Sequence, residues 1–189
     1  VERKLIEKIW KLLLYTNDSN LRQKLISYID NNNMTLSKSV LNVYKNFNFK
    51  EREIVSNKFF NKWMENTIVL DTWFAFRASI EMENYIENLE NLFKHKFFDN
   101  KSPNTLRSIL NNFVSNNRFF HDKEGKGYNY IANKVIEFDK INPIVISRFI
   151  KLFSRWDQYA EPYKTNMLNA IKFIDSHDLS INSREVIDL

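Results

Sequence analysis

A chain of 189 residues with 43% apolar content suits one domain of ordinary size or one array of small repeats, and its 16 Phe, 8 Tyr and 4 Trp supply bulky core filling. Only 2 Gly and 3 Pro are present, too few for the many turns of a sandwich, a barrel or a doubly wound sheet, which leaves helices joined by polar linkers. The net charge of +5 is modest and dispersed, unlike the one-sided charge of a nucleic-acid reader, and the absence of Cys excludes disulfide and thiolate chemistry.

Apolar positions recur at helical spacing almost throughout. Leu5, Ile9 and Leu12/Leu13 mark a first helix. "NDSN" offers cap residues before Leu21, Leu25 and Ile29. "NNNMT" breaks that helix, and Thr35 is the expected cap of the next, with Leu36, Val40 and Tyr44 facing inward. A helix over 51–64 follows, then a short one around Leu70, Trp73 and Phe76/Arg77, then one over 82–93. Ser102 and Pro103 form a start signal, a cap followed by a proline whose missing N–H costs nothing at the first helical position. The next helix opens at "EGKGYNY" and runs to about Phe138. Asn142 and Pro143 repeat the cap-then-proline device, and Pro162 is expected to repeat it again. The fold class is therefore all-α, an irregular α-solenoid or superhelix of antiparallel helix pairs, HEAT/armadillo-like, with about ten helices. No apolar run is long enough to span a membrane. The start Val-Glu-Arg-Lys, with no Met and no signal pattern, reads as an excised or processed edge, and the expected location is cytoplasmic.

Chemistry is sparse. Both glycines, Gly125 and Gly127, sit in one loop, but Tyr130 stands where a dinucleotide fingerprint needs a small residue, and the Gly-Lys-Ser/Thr end of a P-loop is missing. A turn with positive φ between two helices is the simpler reading. His95, His121 and His177 lack metal-ligand spacing, so no metal site is expected. Serines have no evident base partner, and pairs such as Glu81/Glu83 read as solvated helix charges. Trp63, Trp73, Phe74, Phe76, Phe119 and Phe120 read as core rather than as a stacking surface. Arg107 and Arg148 lie beside apolar stripes. Such a guanidinium serves as a structural ion-pair partner, which composition favours, or as a carboxylate anchor.

Longer strings carry a resemblance. Phe120-His121, Gly125 to Tyr128, Asp139 to Pro143 and Ser147-Arg148 follow in order, and "NNNMT", "NKWMENTIVLDTWFAFRAS" and "SPNTLRSIL" stand upstream. This ordered set closely resembles the end of the bacterial aminopeptidase N family, the gluzincin zinc metallo-aminopeptidases. The resemblance implies that residues 1–189 are a single helical domain, the C-terminal part of a larger multidomain enzyme that removes N-terminal residues from peptides. The family's H-E-x-x-H zinc motif and its G-A-M-E-N motif belong to a catalytic domain of the same polypeptide. Neither motif is present here, so no catalytic residue and no cofactor is expected in this chain, with zinc expected in the parent enzyme. The helical domain of the family caps the catalytic cleft, and two of its arginines reach the leaving side of the peptide; the matching positions are Arg107 and Arg148. Ile144 departs from the polar residue, commonly Gln, that follows Asn-Pro in family members. The expected partners are thus the catalytic domain and a peptide, not nucleic acid or membrane. The alternative is a free-standing α-solenoid that binds a peptide or protein.

Overall fold

The computed structural model describes residues 2–48 and 50–187, and the described residues form helices without strands. They fall into two compact units, residues 1–97 and 98–189. The first unit holds α1 (Glu2–Leu14), α2 (Ser19–Ser27), α3 (Met34–Tyr44), α4 (Glu51–Trp63), α5 (Thr67–Ala78) and α6 (Tyr85–Phe93). The second holds α7 (Pro103–Val114), α8 (Asn117–Phe120), α9 (Lys126–Phe138), α10 (Pro143–Ile150), two single 3₁₀ turns, α11 (Tyr163–Asp175) and α12 (Ile181–Ile187). Among the described residues no helix is long and apolar enough to cross a membrane.

The helix starts follow local chemistry. The Asp18 carboxylate accepts from the N–H groups of Asn20 at 2.8 Å and Leu21 at 3.4 Å, which satisfies donors that the first turn of α2 leaves unpaired. The Ser102 hydroxyl accepts from Thr105 N–H at 3.3 Å, and Pro103 follows at the first position of α7, as the sequence indicates. Two expectations need correction. Asn33, not Thr35, caps α3, its side chain accepting from Leu36 N–H at 3.2 Å. Pro162 occupies the cap position of α11 rather than its first turn, so it departs from the arrangement at Pro103 and Pro143.

In the first unit α3 packs on α1, α4 and α5, and α4 also meets α2 and α5. Val40, Leu41, Tyr44, Val55, Phe59 and Phe74 fill the interior at zero exposure. Burying a large apolar side chain contributes about 1.5–3 kcal/mol before the entropy of ordering it is subtracted. Trp73 is buried and donates its Nε1–H to the buried Ser56 hydroxyl at 3.0 Å, so the indole's polar edge is satisfied within the core. Helix α1 behaves differently. Its stripe marks a helix correctly, yet Leu5 is 55%, Ile9 44% and Leu12 68% exposed, and the buried residue of this helix is Leu14, off that stripe.

In the second unit α9 packs on α8, α10 and α11, and α10 packs on α12. Leu106, Ile109, Phe113, Tyr128, Ile131, Ile146, Phe153 and Met167 have zero exposure. Buried Asp139 ties α9 to α12: its carboxylate accepts from Ser180 N–H, from the Ser180 hydroxyl at 2.8 Å and from the Ser183 hydroxyl. The Asn142 amide donates to Asn100 O, which fixes the chain just before α10.

Candidate functional site

The Gly125–Gly127 loop is a turn. Gly125 precedes α9 with φ 76°, the left-handed region that favours glycine. The Asp122 carboxylate already accepts from Glu124 N–H at 2.9 Å and Lys126 N–H at 3.3 Å, so these amides are not free to cradle a phosphate. Gly127 has no positive φ. It is required because a Cβ there would stand 2.2 Å from Phe119 O and 2.4 Å from Phe120 O. The expected turn geometry thus holds for Gly125, while Gly127 serves close helix contact.

The histidines sit in aromatic surroundings. His121 ends α8, stacks on Tyr159 with ring centroids 5.4 Å apart, and meets the Tyr128 hydroxyl through Nδ1 at 2.7 Å. Burial pushes Tyr128 up to about 12, so its hydroxyl keeps its proton, and burial holds His121 below its ordinary value, so the contact joins two neutral groups. His95 packs among Phe60, Trp73, Phe74 and Phe97 with centroids 5.2–5.9 Å away, and burial, with Lys96 nearby, lowers its pKa. Both imidazoles are held neutral, so the unfolded chain binds more protons than the folded one between the lowered values and the ordinary value near about 6.5. Stability present above about pH 6.5 is therefore lost as pH falls through the folded values. The melting temperature is expected to drop between about pH 7.5 and pH 5.5, and His95→Gln should flatten that slope by its own share of the proton uptake. An unchanged slope would contradict the neutral aromatic setting of His95.

One serine–histidine contact escapes sequence reading. Ser176 Oγ lies 3.2 Å from His177 Nδ1, but that nitrogen also lies 2.8 Å from Phe173 O. A carbonyl only accepts, so Nδ1 carries the proton and cannot take one from Ser176. The pair is a helix-end contact, not an activated nucleophile. Among the described residues no group of three or more His, Cys, Asp or Glu side chains could hold a metal ion. The zinc that the resemblance implies belongs to the catalytic domain of the parent enzyme, outside this chain.

The remaining candidates come together. Arg107 on α7 and Arg148 on α10 line the same open groove of ≈ 300 Å³, with Pro103, Ile141, Asn142, Pro143, Ile144 and Val145. They also line an adjoining groove with Asn111, Val114, Phe149 and Leu152. The Arg107 guanidinium folds back along its helix, donating from Nε to Pro103 O at 3.1 Å and from Nη2 to Asn104 Oδ1 at 2.8 Å. Arg148 is exposed and makes no hydrogen bond or ion pair among the described residues. The ion-pair role that composition favours is therefore corrected: no described carboxylate reaches either guanidinium. Ile144, 64% exposed, and Ile141, 40% exposed, form an apolar wall beside the two charges. The groove thus offers two unneutralised cations and an apolar surface, an arrangement that suits an organic carboxylate.

Comparison with known proteins converges on one group. The family model described as a domain of unknown function (DUF3458_C) with ARM repeats matches residues 1–189. The chain is 32% identical over 162 residues to aminopeptidase N of Haemophilus influenzae, covering 85% of this chain and 18% of that protein. It is 28% identical to aminopeptidase N of Escherichia coli over 158 residues, again 18% of that protein, and both matches fall in the C-terminal part of the relative. The crystal structure of Legionella pneumophila aminopeptidase A in complex with aspartic acid superposes with a TM-score of 0.83 at 26% identity, covering 98% of this chain and 22% of that one. The chain therefore spans about a fifth of the length of these relatives.

Proposed function

Because the chain belongs to the DUF3458_C ARM-repeat family over its whole length, we propose that it is the C-terminal helical domain of a zinc-dependent aminopeptidase N that removes N-terminal residues from peptides. The observation that carries this reading is the alignment of more than four-fifths of the chain with the C-terminal part of aminopeptidases N from separate organisms. In this reading the domain caps the catalytic cleft of the same polypeptide, in the cytoplasm, and acts by positioning and exclusion rather than by chemistry. The uncovered stripe of α1 is the kind of apolar surface that a domain separated from its neighbours exposes.

Arg107 and Arg148 are the substrate-binding residues of the proposal. Every peptide substrate of an exopeptidase that works from the N-terminus ends in a carboxylate. An arginine binds that group with two parallel N–H bonds, and its planar fork fixes orientation as well as charge. Ile141 and Ile144 would meet the side chain next to that carboxylate. Such contacts hold the leaving part of the substrate and leave bond cleavage to the catalytic domain.

The test uses the natural full-length polypeptide and the 189-residue chain side by side. The full-length protein is expected to hydrolyse amino-acid p-nitroanilides, to lose that activity with a chelator and to regain it with zinc. The 189-residue chain alone should show none. A natural reading frame that starts near residue 1, or that lacks H-E-x-x-H upstream, would defeat this reading and leave the free-standing peptide-binding solenoid in its place.

A further inference from the structure

A second polar cavity lies in the first unit, in a different part of the chain from the arginine groove. Lys45 and Asn46 at the end of α3, Asn48 and Arg52 at the start of α4, and Ser79 and Glu81 after α5 line an open pocket of ≈ 330 Å³. Every lining side chain is polar, which is unusual for a gap between packed helices.

Its cations lack ordinary partners. The Lys45 ammonium makes no hydrogen bond or ion pair among the described residues. Arg52 donates from Nη1 to Phe47 O at 3.2 Å and from Nη2 to Asn48 Oδ1 at 3.1 Å. Both acceptors hold the guanidinium in place, and neither is an anion. The Arg52 Nε–H is buried with no partner. Two of the five guanidinium N–H bonds are therefore used, both on neutral acceptors. Burial lowers both pKa values; like charge from Lys11 adds to the effect on Lys45, while at Arg52 the nearby Glu53 opposes it and Arg77 adds to it. Glu53, the nearby acid, is committed to Arg77 at 2.7 Å. The exposed Glu81 stands in the lining and leaves the cavity one positive charge in excess.

We infer that this cavity is a binding site for a small oxyanion, a carboxylate or phosphate group, held by the Arg52 guanidinium and the Lys45 ammonium. Asn46, Asn48 and the Ser79 hydroxyl supply neutral donors around it. The two cations come from different helices, so an anion between them draws the α3–α4 connection onto the start of α4. This site is independent of the aminopeptidase reading and survives its failure.

The test is a titration of the ¹⁵N-labelled 189-residue chain with inorganic phosphate and, separately, with acetate, each against sodium chloride at matched ionic strength. Saturable shifts of the Arg52 Nε–H and of the amides of Asn46, Asn48 and Ser79 are expected with at least one of the two anions and not with chloride. Binding of phosphate alone assigns the site to a phosphate ester, and binding of acetate alone assigns it to a carboxylate. Lys45→Gln should weaken binding roughly tenfold or more. Because the Lys45 side chain bonds to nothing in the fold, that variant stays folded and keeps the test valid should Arg52→Gln unfold. Shifts that follow chloride equally, or an unchanged affinity in Lys45→Gln, would overturn the inference.

Discussion

Gly127→Ala is expected to destabilise the chain by about 3 kcal/mol or more, the upper end of what overpacking costs. The added Cβ would lie 2.2 Å from Phe119 O, 2.4 Å from Phe120 O and 2.7 Å from Phe120 Cα. All three are backbone atoms of α8 and cannot rotate away. Relief would require α8 and α9 to separate, which opens the packing of buried Phe120 against Tyr128, whose rings now meet at 5.2 Å. Gly125→Ala should cost less, about 1–2 kcal/mol for a left-handed backbone with a Cβ. Its nearest obstacle is the Asn166 side chain at 2.9 Å, which can swing aside at the loss of its bond to Lys123 O. Urea unfolding of both variants gives the ranking. A smaller effect at Gly127 than at Gly125 would contradict the close-approach argument.

Asp139→Ala should cost about 3 kcal/mol and loosen the end of the chain locally. The carboxylate is 1% exposed and accepts one backbone and two hydroxyl donors of the segment that starts α12. Hydrogen bonds to a charged acceptor contribute more than neutral ones, and the variant removes the acceptor of the half-buried Ser180 N–H. Helix α12 spans only Ile181–Ile187, too short to persist without this anchor and its packing on α10. Amide exchange should therefore quicken at Ser180 through Ser183 well before the rest of the second unit. Unchanged protection there would show that packing alone holds α12.

Features set by neighbouring residues are legible in the sequence. Asp18, Ser102 and Pro103 act through bonds within one turn, so their spacing announces them. Asn33 and Thr35 are both capable caps two residues apart, and only the backbone conformation of Asn33 decides between them. The α1 stripe shows a helix but not whether anything covers it, because periodicity is the same in both cases. Gly127 depends on carbonyls seven and eight residues earlier that a turn brings back, which no local pattern records. The apolar neighbours of Arg107 and Arg148 suggest burial with an ion-pair partner. Yet no described carboxylate approaches, and the two meet at a groove between helices far apart in sequence. The cavity at Lys45 and Arg52 is harder still, since its lining comes from the ends of three helices.

The claim that this domain binds the leaving side of peptides through Arg107 and Arg148 is tested most directly by the kinetics of Arg107→Ala/Arg148→Ala in the full-length polypeptide. Two substrates sharing an N-terminal residue separate the possibilities: a tripeptide with a free carboxylate, and an amino-acid p-nitroanilide without one. The KM for the tripeptide should rise roughly 10–100-fold with kcat little changed, as expected when a charged hydrogen bond made equally before and during reaction is removed. The p-nitroanilide constants should stay as they are. Unchanged tripeptide kinetics, or an equal loss on both substrates, would contradict the claim.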